Sequence, residues 1–373
     1  MRVALSGWFW ERPETGSGQY LRRLAATLAR QESDLAVTLY LPGQTAPADL
    51  PPGIPAVALP APPGPLGKVV WEQLSLPRAL RRQGVDLLHV PYWGSPWRAA
   101  APVVVTVHDL IPLLLPAYRS SVWVRLYTAL VSATARRAAV ILTDSEAAQS
   151  DIVRHLRAPE ARVRAVHLAA DGEYRPEVSL TPLEALGLTP GYILYLGGFD
   201  IRKNLATVFA ALARVRQELP DVRLVVAGRL PAQDSAFAPD PRRLMREVSL
   251  PETAVTFTGF IPEAVKPALY CGARAFIFLS RYEGFGLPPL EALACGTPVV
   301  ASVAASLPEV VGEGGVLVEP DGAASAAVAL ARLLRDDAYH GELRTRALRQ
   351  AARFSWERTA AETAVAYRDA VRG

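Results

Sequence analysis

Cysteine, lysine and long apolar runs are all scarce in this sequence. Its 373 residues include two cysteines, Cys271 and Cys295, and neither lies at a spacing typical of metal ligands or of a disulfide framework. No stretch reaches the roughly 18 uncharged apolar residues of a membrane-spanning helix, and the first residues lack the apolar run of a signal peptide. We therefore expect a cytoplasmic protein without a structural disulfide.

The charges are nearly balanced, and almost all of the cations are arginines. Lysine occurs only at Lys68, Lys203 and Lys266 among 40 cationic side chains, and the net charge is +4. The excess lies in residues 1–180, where 19 cationic residues stand against 15 acidic ones, whereas 21 of each follow. Such a bias fits an anionic substrate or peripheral binding at the inner face of a membrane. Because no basic stripe is interleaved with aromatic residues, we expect no nucleic acid partner.

Length and composition predict two globular domains. Half of the residues are hydrophobic, the mean hydropathy is +0.16, and the chain is longer than one core usually supports. A stretch rich in proline and glycine at 176–191 separates two alternating series of strands and helices. We place the domain boundary between residues 180 and 181.

Short apolar runs alternate with amphipathic helical patterns in both halves. The predicted strands are 3–5, 36–41, 87–90, 103–107, 140–143, 192–196, 223–227, 255–258, 274–279, 298–301 and 316–318. The predicted helices include 18–30, 68–83, 121–138, 145–156 and 203–218. This alternation predicts two doubly wound α/β domains, whose ligands bind beyond the carboxyl ends of the strands.

Two candidate segments follow strands in the first half. Gly16 and Gly18 open a helix, where glycines let a backbone approach phosphate, and a plain glycine turn is the alternative. Their spacing lacks the third glycine and the downstream acid of a dinucleotide fingerprint, which disfavours a dehydrogenase. His108 and Asp109 end another strand, where an imidazole can hydrogen-bond a substrate hydroxyl. A structural histidine is the alternative there.

A third segment contains two adjacent cations. The strand at 192–196 leads into Gly197 and Gly198, and Arg202 and Lys203 then begin a helix. Because neighbouring side chains on a helix diverge by about 100°, we expect that these two cannot both face one acid. Both can reach into a cleft and neutralise a departing diphosphate. The alternative is a solvated helix start.

The fourth segment is a strand at 274–279, a glycine loop and a helix. Pro288 and Pro289 suit the first turn of that helix, and Gly296 suits its end. The N–H groups of Gly286 and Leu287 lie where the helix dipole favours an anion. This pattern predicts a phosphate site.

Two carboxylates flank that helix start. Glu283 lies in the loop and Glu291 lies within the helix, so we expect them to face one pocket from different heights. Because a carboxylate accepts two hydroxyl hydrogen bonds, each acid suits a vicinal diol of a sugar or a ribose.

The stretch from Glu283 to Val300 resembles the signature of the family 4 glycosyltransferases, also described as glycosyl transferases group 1. Further matches follow the family's order: the turn at 16–18, Val107-His108-Asp109, Arg202-Lys203-Asn204, Leu307-Pro308-Glu309-Val310 and Phe354-Ser355-Trp356. The resemblance implies the GT-B fold, in which two Rossmann-like domains face each other across a cleft. An acceptor domain at 1–180 and a nucleotide-sugar donor domain at 181–355 would precede a helix at 356–373 that crosses back.

The resemblance also implies roles for individual residues. The implied catalytic residues are His108, Arg202, Lys203 and Glu283, and the implied substrate-binding residues are Gly16, Gly18, Gly284, Phe285, Gly286, Leu287 and Glu291. Glu291 should hold ribose hydroxyls, Glu283 the sugar hydroxyls, and His108 the sugar near its 6-hydroxyl. Gly198 stands where many relatives carry a phosphate-binding arginine, and Arg202 is the candidate replacement.

The implied reaction is sugar transfer with retention of anomeric configuration. No Asp-x-Asp follows a strand, so we expect cationic side chains and a helix dipole, with no metal ion or other cofactor, to stabilise the leaving diphosphate. Because no carboxylate can be named as a nucleophile, we favour attack on the same face, with the departing phosphate oxygen taking the acceptor proton.

The sequence is most similar to the mannosyltransferase-like branch, which favours GDP-mannose, with a UDP-sugar second. The expected acceptor is a lipid-linked or saccharide intermediate, and its site could include the aromatic residues Trp8, Phe9, Trp10, Tyr92, Trp93 and Trp97. A sugar-nucleotide epimerase, a glycoside phosphorylase and a non-catalytic nucleotide-sugar binding protein are the alternatives, since they can share one fold.

Overall fold

A computed structural model describes residues 1–43, 45, 47, 49–64, 66–118 and 121–373. The chain divides into two compact units, Met1–Leu168 with Ser355–Gly373, and Ala169–Phe354. The division falls N-terminal to residue 180 because Tyr174 packs against Tyr270 in the core of the second unit. The terminal segment predicted at 356–373 belongs to the first unit.

Each unit is built on one parallel sheet, and each sheet has a doubly wound strand order. The first sheet, in the order β3-β2-β1-β4-β5-β6-β7, contains β1 (Arg2–Ser6), β2 (Ala36–Pro42), β3 (Ala56–Leu59), β4 (Leu87–Val90), β5 (Val103–Thr106), β6 (Val140–Thr143) and β7 (Val163–Ala165). The second, in the order β10-β9-β8-β11-β12-β13, contains β8 (Tyr192–Leu196), β9 (Leu224–Ala227), β10 (Val255–Gly259), β11 (Ala273–Phe278), β12 (Val299–Ser302) and β13 (Gly315–Val318).

Helices connect most of the strands. They are α1 (Gly16–Gln31), α2 (Gly67–Val70), α3 (Leu76–Gln83), α4 (Ile111–Leu114), α5 (Val122–Ala135), α6 (Glu146–Asp151), α7 (Thr181–Ala185), α8 (Leu205–Glu218), α9 (Pro241–Glu247), α10 (Lys266–Gly272), α11 (Leu287–Ala294), α12 (Leu307–Val311), α13 (Ala323–Arg335), α14 (Asp337–Ala351) and α15 (Trp356–Arg372).

All of the predicted strands are present. Within the described residues, the strands that were not predicted, β3 and β7, lie at the two edges of the first sheet. Strand β3 follows a proline-rich stretch and is only half-buried, and β7 has three residues that include Arg164. Strands at the edge of a sheet bury less surface than central ones and carry a weaker apolar pattern. The central strands are mostly apolar because both of their faces are covered.

Three predicted helices differ locally from the structure. The helix predicted at 68–83 consists of α2 and α3 joined by a π-helical segment, Trp71–Ser75. The helix predicted at 145–156 likewise changes from α6 to a π-helical segment, Ile152–Leu156. Helix α8 begins at Leu205 and not at 203, because a 3₁₀ turn precedes it and Asn204 has a left-handed φ of 55°.

Helix α15 packs against α1 within the first unit. The Tyr367 hydroxyl lies 2.6 Å from Nδ1 of His89, and Nε2 of His89 lies 2.8 Å from the Thr106 hydroxyl. Burial lowers the pKa of His89 to about 3, so this imidazole is neutral and structural. The terminal helix is thus tied to the centre of the first sheet.

Candidate functional site

The candidate groups of the second unit lie in the segments that follow β8 and β11 and in helix α11. The loop after β11 is held by Ser306, whose Oγ donates to the carbonyls of Glu283 at 3.0 Å and Phe285 at 2.5 Å. Ser280 Oγ donates to the carbonyl of Tyr282 at 3.2 Å. The glycine loop that precedes α11 is therefore fixed by hydrogen bonds.

Arg202 and Lys203 meet the same carboxylate. Nη1 of Arg202 lies 2.7 Å from Oε2 of Glu283, and Nζ of Lys203 lies 2.7 Å from Oε1. The expectation that the two cations cannot face one acid is therefore wrong. They lie on the 3₁₀ turn Ile201–Lys203, where neighbouring residues diverge by about 120°. Both still reach Glu283 because their long side chains approach different oxygens of its carboxylate.

This ion triad is largely shielded from solvent. The side chains of Arg202, Lys203 and Glu283 are 10%, 11% and 12% exposed. Burial by itself raises the pKa of Glu283, but the charges of Lys203 and Arg202 outweigh it and hold the pKa below its ordinary value. Nη1 of Arg202 also donates to the carbonyl of Tyr282 at 2.7 Å. Glu283 is thus an ionised acceptor held by two cations.

The start of α11 is shaped for an anion. Gly286 precedes the helix with φ of 114°, where a Cβ would lie 2.9 Å from Leu307, so only glycine fits without strain. No side chain caps the helix, and Pro288 and Pro289 occupy its first turn as predicted. Gly296, with φ of 73°, follows its end. Because the two prolines have no N–H, the donors that this helix start offers to an anion are the backbone N–H groups of Gly286 and Leu287, together with the positive end of the dipole.

Glu291 lies inside α11 and is 6% exposed. The Tyr270 hydroxyl donates to its Oε2 at 2.7 Å. Burial raises the pKa of Glu291 to about 7, and the nearby charge of Lys266 opposes that rise only in part. Glu283 and Glu291 therefore have separate sets of partners, and their protonation is set by different causes.

Phe285 contributes to the core as well as to the loop. Its ring is 4% exposed and packs edge-on against Phe354, with centroids 5.9 Å apart. Any contact of Phe285 or Gly284 with a ligand would therefore come from the backbone of the loop. The sequence does not show that the Phe285 ring belongs to the core, because its partner Phe354 lies far along the chain.

The first unit pairs His108 with a residue that the sequence analysis missed. Nδ1 of His108 donates to Oδ2 of Asp144 at 2.8 Å, and Nε2 faces the carbonyl of Pro91 at 3.2 Å. Burial lowers the pKa of His108, but the Asp144 carboxylate outweighs that effect, so the pKa is raised. Since a carboxylate and a carbonyl only accept, both bonds together require the imidazolium. Asp144 directly follows β6, and His108 follows β5 after one intervening residue. This position after a strand is the feature of the sequence that could have identified Asp144 as a site residue.

The two glycines at the start of α1 differ. The hydroxyl of Thr15 accepts a hydrogen bond from the N–H of Gly18, which caps the helix. A Cβ on Gly18 would lie 2.0 Å from the carbonyl oxygen of Arg12, so its own loop requires glycine there. A Cβ on Gly16 would meet nothing within 4 Å. Gly16 is therefore the more open of the two predicted backbone contacts.

The aromatic residues proposed for the acceptor site do not form one group. Trp10 and Tyr92 are buried core residues, whereas Trp8, Phe9 and Trp93 are partly buried. Trp97 is 46% exposed and precedes β5, so it lies at the opposite edge of the sheet from His108.

Next to the partly buried aromatic residues, Lys68 pairs with the buried Glu72, and neither was among the predicted site residues. Nζ of Lys68 is 3.6 Å from Glu72 and 4.6 Å from the ring centroid of Tyr92. Glu72 is 1% exposed, and burial raises its pKa to about 7.

Neither a metal cluster nor a membrane span is found in the part of the chain that the structure describes. There, no three His, Cys, Asp or Glu side chains come together as metal ligands would, and no helix has the length and apolar character to cross a bilayer.

Two family models match the chain. Residues 15–174 match the model "Glycosyltransferase Family 4", and residues 184–354 match "Glycosyl transferases group 1". The O-antigen chain mannosyltransferase B of Escherichia coli is 32% identical over 301 residues, which cover 78% of this chain and 76% of that protein. The matched residues thus span both units.

Solved structures share the fold. The sucrose-phosphate synthase of Thermosynechococcus elongatus is 26% identical, with a TM-score of 0.77 over 99% of this chain and 98% of that one. Anabaena HepE, in complex with UDP and glucose, has a TM-score of 0.73 at 19% identity over 98% of each chain. These neighbours confirm the predicted GT-B fold class.

Proposed function

We propose, from the premise that this chain belongs to glycosyltransferase family 4, that it transfers mannose from a nucleotide diphosphate sugar to an acceptor with retention of configuration. The observation that carries the proposal is the Glu283 carboxylate held between Arg202 and Lys203, close in sequence to the uncapped start of α11. Together they supply, in one unit, two cations, a helix dipole and an ionised carboxylate that can accept hydrogen bonds from hydroxyl groups.

In this proposal the diphosphate binds at the start of α11. Gly286 and Leu287 contribute N–H groups, and Arg202 and Lys203 contribute positive charge. An ammonium has three donors and a guanidinium has five, so each cation can keep Glu283 while donating to a phosphate oxygen. Arg202 then binds phosphate in place of the arginine that many relatives carry at the position of Gly198.

The two acids bind hydroxyls of the same substrate in this proposal. Glu283 is ionised and accepts from the sugar, while Glu291 binds the ribose. Glu291 is held by the Tyr270 hydroxyl through Oε2, which leaves Oε1 for a diol. The substrate hydroxyls would replace water at these carboxylates.

His108 is proposed to meet the transferred sugar as a hydrogen-bond donor. Its Nδ1 is fixed by Asp144, and a sugar hydroxyl can replace the Pro91 carbonyl, which lies 3.2 Å from Nε2, as the partner of that nitrogen. Asp144 acts as a positioning residue, because it orients the ring and favours its charged form.

The chemical step proposed is attack on the face from which the nucleotide leaves. The departing phosphate oxygen takes the proton of the acceptor hydroxyl, and the cations at the start of α11 stabilise the negative charge of the nucleoside diphosphate. This step needs neither a carboxylate nucleophile nor a divalent ion. Activity that persists in excess EDTA would support it.

GDP-mannose is the proposed nucleotide-sugar donor, with a UDP-sugar as the second choice. The similarity to the E. coli mannosyltransferase supports GDP-mannose. The resemblance in fold to HepE, solved with UDP and glucose, supports a UDP-sugar as the second choice. The name of the E. coli relative supports a growing saccharide chain as acceptor. The charge excess of residues 1–180 supports peripheral binding of the cytoplasmic protein to a membrane that carries a lipid-linked acceptor.

The test is transfer of labelled sugar. Purified protein is incubated with radiolabelled GDP-mannose or UDP-glucose and a panel of mannosylated and lipid-linked acceptors, and products are separated and sequenced by glycosidase digestion. We expect an acceptor extended by one α-linked sugar. An altered nucleotide sugar would indicate an epimerase, release of sugar phosphate would indicate a phosphorylase, and binding without turnover would indicate a non-catalytic protein.

A further inference from the structure

A cavity of about 840 Å³ lies in the first unit, at the edge of the sheet where β5, β6 and β7 begin. His108 and Asp144 follow the other ends of β5 and β6. Those strands have four residues each, so at about 3.3 Å per residue the two edges are about 13 Å apart. The cavity is therefore separate from the groups assigned to sugar transfer.

The cavity is lined by five arginines: Arg81, Arg98, Arg137, Arg162 and Arg164. Arg164 is paired with Asp369 at 2.8 Å, and Asp369 also lines the cavity. None of the other four has a carboxylate partner within the described ranges. The lining thus carries a clear excess of positive charge, which attracts anions.

One wall of the cavity is fixed by specific contacts. The side chain of Gln73 accepts from the N–H of Trp97 at 2.7 Å and donates to the carbonyl of Ser95 at 3.0 Å. The guanidinium of Arg137 lies over the Trp97 ring, 4.8 Å from its centroid. A wall that is already ordered loses little conformational entropy when a ligand binds.

We propose that this cavity binds a ligand carrying two or more phosphate groups. Guanidinium groups match phosphate oxygens in a bidentate geometry, and four unpaired ones can neutralise more charge than a single phosphate carries. The volume accommodates such a ligand. The phosphates can belong to a soluble polyphosphate or to the headgroup of an anionic lipid, and the experiment separates these sources.

The experiment compares two double variants with the same loss of charge. Arg81→Ala/Arg137→Ala removes two cavity arginines, whereas Arg82→Ala/Arg136→Ala removes their sequence neighbours, which are exposed as well but do not line the cavity. Binding of sodium tripolyphosphate is measured by calorimetry at physiological ionic strength, after circular dichroism has checked that both variants fold. We expect the cavity pair to weaken binding by about tenfold or more and the neighbour pair to leave it unchanged.

A second arm uses vesicles of pure phosphatidylcholine and vesicles containing cardiolipin, with sedimentation as the readout. Binding to cardiolipin vesicles that only the cavity pair abolishes assigns the site to a lipid headgroup. Binding of tripolyphosphate alone assigns it to a soluble ligand. If neither probe binds, or if both double variants weaken binding equally, the arginines act only as general surface charge and the proposal is overturned.

Discussion

The Tyr270 hydroxyl donates a hydrogen bond of 2.7 Å to a Glu291 carboxyl group that is almost completely buried. The two residues lie on adjacent helices of the second unit, α10 and α11. The hydrogen bond from the Tyr270 hydroxyl stabilises the ionised carboxylate and so lowers its pKa, but burial has the larger effect and raises the pKa of Glu291 to about 7. Glu291 is therefore held in the site at a cost to stability.

The first prediction concerns that cost. The folded pKa of Glu291 exceeds the unfolded value, so the folded state binds the extra proton between about pH 4.5 and pH 7, and stability falls as pH rises through that window. Glu291→Gln keeps an acceptor for Tyr270 and removes the titration. We expect the variant to be more stable than wild type at pH 8, by on the order of 2 kcal/mol, and no more stable at pH 4. Urea unfolding at both pH values measures the difference; an equal gain at both would contradict it.

Glu291 should matter for nucleotide binding even though it lowers stability. Glu291→Ala removes the acceptor for the ribose hydroxyls, and we expect nucleotide binding to weaken by about 1–3 kcal/mol. Calorimetry with GDP and UDP measures the loss. Glu252→Ala, in a 3₁₀ turn before β10, is the control and should bind as wild type. Unchanged affinity in Glu291→Ala would remove this residue from the ribose site.

A third prediction concerns Glu283. Glu283→Gln keeps the shape of the side chain but weakens its hold on Arg202 and Lys203 and on the sugar. We expect kcat/KM for the nucleotide sugar to fall by roughly tenfold to a hundredfold, because a hydrogen bond to a charged group contributes about 1.5–3 kcal/mol. The affinity for the nucleoside diphosphate without sugar should fall less. Equal losses of affinity for the nucleotide sugar and for the nucleoside diphosphate would assign Glu283 to the phosphates and not to the sugar.

The pairing of His108 with Asp144 predicts a pH dependence. The pKa of His108 is raised, so the imidazolium and the stability that its pairing contributes are present below pH 6.5 and are lost as pH rises through the folded pKa. If transfer needs the imidazolium, activity declines on the alkaline side. Asp144→Asn should move that decline to lower pH, because the charge that raises the pKa of His108 is removed. NMR titration of the ring gives an independent reading, and an unmoved pH profile together with an unmoved titration would contradict the pairing.

The two glycines at the start of α1 should behave differently on substitution. Gly18→Ala places a Cβ against the Arg12 carbonyl, so we expect it to destabilise the protein by about 2 kcal/mol or more. Gly16→Ala has open space and should keep wild-type stability. If Gly16 is a backbone contact of the substrate, its variant loses activity at unchanged stability. Thermal unfolding and transfer assays on both variants separate these effects.

Much of this fold could be predicted from the sequence because local signals agree with it. Strands such as β8 are apolar runs because both of their faces are covered. The prolines and glycines around α11 mark the two ends of that helix. The short edge strands β3 and β7 and the π-helical segment at Trp71–Ser75 carry no such signal. Their conformations depend on packing against distant residues.

The site residues were predicted as types, but their partners were not. His108 and Asp144 are separated by 36 residues, and Lys203 and Glu283 by 80, so their pairing depends on strand order. The argument from helical divergence failed because the long side chains of Arg202 and Lys203 approach different oxygens of the Glu283 carboxylate. Ser306, which fixes the glycine loop, had no local pattern to mark it.

The most direct test of the central claim is the affinity of Lys203→Gln for GDP and UDP compared with guanosine and uridine. The claim is that Arg202, Lys203 and the start of α11 hold the diphosphate, so the substitution should weaken binding of a diphosphate by roughly tenfold and leave the nucleoside unaffected. Arg246→Gln, an exposed cation on α9, is the matched control. Equal affinity of wild type and Lys203→Gln for both diphosphates would contradict the account.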